Sequence, residues 1–423
     1  MTTLPDGWGA LALGDIADIV RGVTYKKSDA RSAPSPDYTP LLRATNIGSS
    51  IDLVGELVYV PTGGVNTKQF LRRGDIVLAS SSGSLSVVGK SARLLVDWSG
   101  TFGAFCAVIR ARSEVDSRYL ALYLSSYAVR RRWSEAARGT NINNLKKSDL
   151  APTPVPLPPF DEQRRIGDIL EDHLSRLDAA AALSMSAIGR LDILEASGLW
   201  HATHGLPGSA AGTVSDVAEV RLGRQRSPKN HAGDRMRPYL RAANVGWDQL
   251  RLDDVKQMQF TEAESETYEL RDGDILLTEA SGSASEVGKS AIFRGEVIEV
   301  CFQNTVLRVR CHDGVNPDFV QLYLLAEARF GRFVAGSRGV GIHHLGRAAL
   351  ASWPIMLPPG EVQVAAVRHA RELGEATTRA REASQHATVR VEALRRTLLS
   401  AAFSGRLTGR TSDVEMVEEM AGV

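Results

Sequence analysis

Leu71-Arg72-Arg73-Gly74-Asp75-Ile76-Val77-Leu78 and Leu270-Arg271-Asp272-Gly273-Asp274-Ile275-Leu276-Leu277 are one pattern written twice, 199 residues apart. Four other stretches return in the same order. Arg43-Ala44-Thr45-Asn46-Ile47-Gly48 returns as Arg241-Ala242-Ala243-Asn244-Val245-Gly246, and Val88-Gly89-Lys90-Ser91-Ala92 as Val287-Gly288-Lys289-Ser290-Ala291. Arg138-Gly139-Thr140-Asn141-Ile142-Asn143-Asn144-Leu145 returns as Arg338-Gly339-Val340-Gly341-Ile342-His343-His344-Leu345, and Leu157-Pro158-Pro159 as Leu357-Pro358-Pro359. The offsets stay between 198 and 200. One order and nearly one offset define a tandem repeat of about 200 residues.

Each repeat has two parts. The first, about 155 residues, is rich in Gly, Ser and short β-branched runs. Leu13 to Val20, Ile76 to Ala79 and Ala104 to Arg110 read as strands, and Val115 to Arg132 and Pro317 to Arg332 as helices. The fold class is mixed α/β (α+β). The second part starts after Leu-Pro-Pro, where proline and the acids Asp161, Glu162 and Glu361 suit a helix N-terminus. No proline occurs from there to about His204, and again to about Ser404. Leu174, Leu177, Ala181, Ser184, Ile188 and Leu191 alternate spacings of three and four, as do Thr377, Ala380, Ser384, Ala387, Val391, Leu394 and Leu398. That is the seam of a coiled coil, with helices of about 40 residues, roughly 60 Å each. The expected arrangement is two long helices packed together as an antiparallel coiled coil. Packing of each helix on its own globular domain stays open as the alternative. The boundaries fall at 1–157, 158–205, 206–357, 358–405 and an acidic tail, 406–423.

With 50 Lys+Arg against 49 Asp+Glu, the net charge of +1 points to no partner on its own. Divided along the repeat, residues 1–159 hold 19 Lys+Arg and 13 Asp+Glu, net +6, whereas 206–359 hold 18 and 19, net −1. The helical stretches 160–205 and 360–405 carry −4 and +2. The first domain is basic enough for a phosphate surface; the second would need its charge segregated onto one face. Hydrophobic residues at 43% exclude a disordered chain. Cys106, Cys301 and Cys311 form no C-x-x-C pair, so neither a disulfide scaffold nor a cysteine zinc site is expected, and a reducing cytoplasm fits. No signal peptide or membrane-spanning run is read.

Several motifs imitate chemistry. Gly83 to Ser91 and Gly282 to Ser290 resemble a phosphate-binding loop, but five residues, not four, separate the glycines. The residues after each lysine read as a strand, whereas that loop must open a helix. Leu157-Pro158-Pro159-Phe160 resembles the Asn-Pro-Pro-aromatic tetrapeptide of amino-methyltransferases, yet leucine replaces the Asn that would hold the adenine amino group. His343 and His344 match Asn143 and Asn144 in the first copy, so no metal site is expected. No Ser-His-Asp arrangement recurs between the copies.

Two related halves, each a globular domain followed by a long helix, resemble the specificity subunit of Type I restriction–modification systems. The carriers are Leu13-Gly14-Asp15-Ile16-Ala17, Gly74-Asp75-Ile76-Val77-Leu78, Ile142-Asn143-Asn144-Leu145, Leu157-Pro158-Pro159-Phe160-Asp161-Glu162-Gln163 and Leu398-Leu399-Ser400-Ala401-Ala402-Phe403-Ser404-Gly405. The resemblance implies that each globular domain is a target-recognition domain for one half of an asymmetric bipartite site in double-stranded DNA. It implies that the helices set the spacer and dock two adenine methyltransferase subunits, and that the assembly can recruit two translocase/nuclease subunits. The chain would have no catalytic activity and bind no cofactor, with S-adenosylmethionine, ATP and Mg on the partners. The alternatives are a structural adaptor of another defence complex and, further off, a stand-alone DNA methyltransferase.

On that resemblance Lys90, Lys289, Arg43 and Arg241 would meet phosphates, and Asn141, Asn143, Asn144, His343, His344 and Arg347 would face bases. Asn46, Ser82, Ser84, Lys146, Asn244, Ser281 and Ser283 complete the expected DNA-binding set. Leu174, Leu177, Ile188, Leu191, Val391, Leu394 and Leu398 are the expected docking positions on the helices.

Overall fold

The computed structural model describes residues 4–137, 143–281, 283, 286–334 and 343–408. Its two compact units do not follow the repeat. One holds the residues up to 184 together with those from 386 on; the other holds 185–385. Both long helices have 44 residues, the central one Phe160–Thr203 and the closing one Gly360–Phe403. Each gives its first half to the unit of the domain it follows and its second half to the other unit.

In the first unit a four-stranded antiparallel sheet runs in the order Ala17–Arg21, Cys106–Ala111, Ile76–Ala79, Ser91–Arg93. A second sheet orders Val58–Pro61, Tyr38–Leu42 and Thr101–Phe102, the last pair parallel. Ile76–Ala79 is apolar throughout because it is covered on both faces. Ile76 and Leu78 join the cluster of Leu13, Ile16, Leu120 and Trp133; Val77 and Ala79 join that of Leu42 and Phe102. The second unit repeats the arrangement with Ala218–Leu222, Val306–Cys311, Ile275–Thr278, Ser290–Ile292, and with Lys256–Gln259, Met236–Leu240, Cys301–Phe302.

The repeated Gly-Asp explains itself here. Gly74 and Gly273 sit at φ +92° and +88°, the left-handed region that favours glycine. The buried Asp75 carboxylate accepts the Arg72 amide (2.8 Å) and two bonds from Arg110 (2.7 Å each). Asp274 does the same with the Arg271 amide (2.7 Å) and Arg310 (2.7 and 2.6 Å).

Leu-Pro-Pro-x-x-x-Gln is a brace. Buried Gln163 accepts the Asp116 amide at 2.9 Å and donates to the Pro158 carbonyl at 3.0 Å. Gln363 makes the same pair of bonds to Asn316 (3.3 Å) and Pro358 (2.7 Å). Asp116 and Asn316 cap the helices Ser117–Ser125 and Pro317–Arg329, so one glutamine ties a long helix to the domain before it. In the second copy Val362 stands where the first has Glu162, and the brace is intact because the glutamine makes it.

Two elements differ from expectation. Leu13 to Val20 is not one strand: Leu13–Ile16 is a helical turn burying Leu13 and Ile16, three apart on one face, and the strand begins at Ala17. The helix expected over Val115 to Arg132 breaks into Ser117–Ser125 and Tyr127–Ala136, because Ser126 is extended (ψ 151°).

In each unit the two helix segments run antiparallel. In the first, Asp178 pairs with Arg395, and Leu170 and Leu174 share a cluster with Leu398, Leu399 and Phe403. In the second, Arg381 pairs with Asp192 (3.0 Å) and Glu195 (2.9 Å), and a Cβ at Gly198 would overlap Leu373. Both packings weighed from the sequence are present, since the same helix segments also bury against their domains: Ile166 with Tyr119, Ala366 and Val367 with Phe319 and Leu322.

The two helix-to-domain joints carry reversed charges at equivalent positions. Arg118 meets Asp168 (2.6 Å) and Glu171 (3.3 Å), whereas Asp318 meets Arg371 and Arg294. Glu171→Arg is expected to destabilise the first unit by about 1 kcal/mol, since Glu171 is half exposed and meets Arg93 (3.0 Å) as well as Arg118, and adding Arg93→Glu to recover part of it while Arg118 keeps Asp168. Denaturant titration of the single and double variants checks this; a purely additive double would show that the two charges do not interact.

Candidate nucleic-acid interface

The repeated polar motifs meet at one end of the central strand Ile76–Ala79. The Ala79 amide donates to the Lys90 carbonyl (2.8 Å), and the Gly89 amide to the Ala79 carbonyl (2.9 Å). The Ser80 and Ser81 amides both donate to the Phe105 carbonyl (2.9 and 3.1 Å), and the Leu145 amide to the Ser80 carbonyl (2.8 Å). Ser81–Ser82 then pairs with Asn143–Asn144. This lattice puts Ser82, Ser84, Lys90, Asn143, Asn144 and Lys146 on one edge, with Ser84, Lys90, Asn144 and Lys146 exposed. Ser84 bonds Ser86 (2.8 Å), and Asn143 donates weakly to the Gly83 carbonyl (3.3 Å).

The second unit builds the same lattice. The Thr278 amide donates to the Lys289 carbonyl (2.9 Å), Glu279 to Thr305 (3.0 Å) and Leu345 to Glu279 (2.7 Å). Ala280–Ser281 pairs with His343–His344. The exposed side chains differ: His344 lies 3.3 Å from the Glu279 carboxylate, and Arg347 is exposed beside it. Ser283 is exposed too. Asn141 lies outside the described residues, as does the side chain of Ser281.

Three expectations change. Asn46 and Asn244 are 4% and 2% exposed and brace their own turns. Each accepts the amide of the arginine three residues before it (2.9 and 3.1 Å) and donates to a carbonyl across the loop. Burial and these bonds keep them from bases. Lys289, unlike exposed Lys90, is 7% exposed, paired with Glu286 and set over the Trp247 ring. Burial, with Arg251 and Arg329 nearby, holds its ammonium below the usual lysine range. Arg43 and Arg241 are partly exposed but turned to Glu56 (3.6 Å) and Asp254 (2.7 Å).

The docking set also changes. Leu174, Val391 and Leu398 are buried, and Leu177, Ile188, Leu191 and Leu394 half-buried, so they form the seam rather than face a partner. The large apolar side chains the helices leave exposed are Phe160, Leu183, Met185, Ile193, Leu194, Val364 and Val389. Seam spacing marks only the inward stripe, which is why these were missed. Arg21, Lys147 and Phe105, exposed at the same edge of the first domain, were missed too. Comparing the two copies side chain by side chain would have singled them out.

The chemical look-alikes resolve as scaffold. Gly89 and Gly288 take left-handed turns (φ +81° and +78°), and strands, not helices, come next at Ser91–Arg93 and Ser290–Ile292. Burial pushes the Cys106, Cys301 and Cys311 thiols up to about 12, so none is a nucleophile at neutral pH. Among the described residues no cluster of His, Cys, Asp and Glu could hold a metal, and no helix is long and apolar enough to cross a membrane.

Comparison with known proteins agrees with this duplicated design. The Type I restriction modification DNA specificity domain matches residues 5–183 and 209–383. The chain belongs to this family. The Type I restriction enzyme EcoKI specificity subunit of Escherichia coli K12 is 29% identical over 422 residues, covering 96% of this chain and 90% of that protein. The StySPI specificity subunit of Salmonella potsdam is 27% identical over 429 residues, with the same coverage. A structure from work on complex assembly and conformational transition of the type I R-M system superposes with a TM-score of 0.75 at 19% identity, covering 96% of this chain and 100% of that one. The HsdS subunit from Thermoanaerobacter tengcongensis gives 0.58 at 20% identity, covering 96% and 98%. At such identities the structures speak for the fold alone. As a member of the DNA specificity family, the chain is a DNA-recognition subunit of a Type I system and not an enzyme.

Proposed function

We propose that the two domains read different halves of one asymmetric, bipartite site in double-stranded DNA. The observation that carries this reading is the shared backbone lattice with unlike side chains: Asn143 and Asn144 in the first domain stand where His343 and His344 stand in the second. A common frame sets the approach to the groove, and the variable side chains set the bases. Lys90 and partly exposed Arg43 and Arg241 hold phosphates, the arginines after leaving their carboxylates.

The complex includes two adenine methyltransferase subunits, docked through the exposed Leu183, Met185, Ile193, Leu194 and Val389, and it can recruit two translocase/nuclease subunits. S-adenosylmethionine, ATP and Mg belong to those partners. Methylation-aware sequencing of cells carrying the complex tests the reading. Wild type is expected to mark one bipartite adenine motif. Asn144→Ala should relax one half of it and His344→Ala the other. A single variant that alters both halves would sink the two-reader design. The helices set the spacer: removing one heptad from each, about 10 Å, should shorten it by about three base pairs and leave both halves intact.

A further inference from the structure

Two features of the first domain's exposed edge bring in Phe105, Arg21 and Lys147, which lie outside the expected contact set. Phe105 is 64% exposed, yet its backbone is fixed, since its carbonyl accepts the Ser80 and Ser81 amides. Next to Ala104 is a cleft whose polar lining is Arg21, Ser80, Asn144, Lys146 and Lys147. No carboxylate lines it, and none of the three cations joins an ion pair among the described residues. Asp149, the nearest acid in sequence, has its carboxylate on the Lys146 amide (2.8 Å). Three like charges around one cleft repel until an anion enters.

The fold does not require this set. Strand register places Leu222 where Arg21 stands, because Arg21 pairs with Ala107 and Leu222 with Leu307. The second domain has Gly346 in place of Lys146, and the Glu279 carboxylate in place of the Ser80 hydroxyl. Thr305 replaces Phe105, and its hydroxyl is turned inward to accept the Ala242 amide (3.0 Å). One exposed phenylalanine means little alone. An exposed phenyl on a fixed backbone, one residue from the Ala104 wall of an acid-free cationic cleft, is a different matter, because DNA offers its match: phosphates flanking a major groove whose one protruding apolar group is the thymine methyl.

We propose that Phe105 reads a thymine in the first half-site by packing on its methyl group, while Arg21, Lys146 and Lys147 neutralise the neighbouring phosphates. The proposal rests on the DNA-recognition reading above, and the test separates the two. If the wild-type complex marks no bipartite motif and binds no duplex selectively, that reading fails whatever Phe105 does. If it marks one, Phe105→Ala in the assembled complex should lower discrimination for thymine at a single position of one half-site about tenfold, with the other half unchanged. Phe105→Leu should keep part of it. Arg21→Gln and Lys147→Gln should weaken binding to all sequences and each reduce the salt slope by about one, with the motif unchanged. Phe105 is exposed, so its variants should melt within about 2 °C of wild type. An unchanged motif for Phe105→Ala, uniform weakening on every sequence, or failure to assemble with the methyltransferase subunits would each overturn the proposal; the last would make Phe105 a protein contact.

Discussion

Asp75→Ala is expected to destabilise the first unit by about 3–5 kcal/mol, as removal of one partner from a buried ion pair does. Asp75 is 2% exposed and holds three donors: two from Arg110 and the Arg72 amide. The pair keeps the Arg110 guanidinium more basic than usual against its own partial burial. Without Asp75 the guanidinium keeps only carbonyl hydrogen-bond partners, Phe70 at 2.9 Å and Lys68 at 3.4 Å, and loses the larger part of its charge compensation, leaving the weaker attraction of Asp18. Asp75→Asn should fall between, since an amide oxygen can still cap Arg72 but not pair with Arg110 by charge. Asp274→Ala should do the same to the second unit through Arg310. Denaturant unfolding checks these, and wild-type stability for Asp75→Ala would mean that water satisfies Arg110 as well as the carboxylate does.

Phe403→Ala should be comparably severe, about 3–5 kcal/mol for a phenyl removed from a packed site. Phe403 closes the second long helix onto the first domain, where its ring meets Tyr119 edge-on at 5.4 Å and Tyr123 at 5.0 Å. Leu399, Ala402 and Leu407 surround it. The seam leads into it through Val391, Leu394 and Leu398, so Phe403 is the last large apolar side chain holding the helix end. Hydrogen exchange over Leu398–Phe403 should rise well above wild type, and unchanged protection would show that the seam suffices. The equivalent joint in the second unit adds a polar centre: buried Glu327 accepts His204 (2.8 Å) and the Trp353 indole (2.9 Å), and His204 stacks on Trp200 at 3.6 Å. Both joints thus use aromatic contacts, Trp200 also meeting Phe330 at 4.8 Å, and only the second adds a buried hydrogen-bonded carboxylate.

The sequence showed the repeat because backbone requirements repeat. Gly74 and Gly273 need a left-handed turn, Asp75 and Asp274 must cap and pair, and Gln163 and Gln363 must brace a helix start, so these residues recur at fixed spacing. Ile76–Ala79 was legible as a strand because four successive apolar residues fit a doubly covered one. The long helices were legible from seam spacing and missing proline. Side-chain exposure was not legible. Lys90 and Lys289 look alike in sequence, but Lys90 is exposed and Lys289 buried, because Lys289 has Trp247 and Glu286 against it. Asn46 and Asn244 read as DNA contacts for their chemistry, and burial removed them.

From the sequence alone came a duplicated α/β chain with two long helices and no evident catalytic motif, since those features depend on local order and spacing. Tertiary structure decided which residues form a surface. It divided each helix between two units, turned the expected docking leucines inward, and gathered Phe105, Arg21, Asn144 and Lys147 at one strand end. Such proximity is created by hydrogen bonds between residues 25 to 65 apart, such as Ser80 with Phe105 and with Leu145, and no local pattern encodes it.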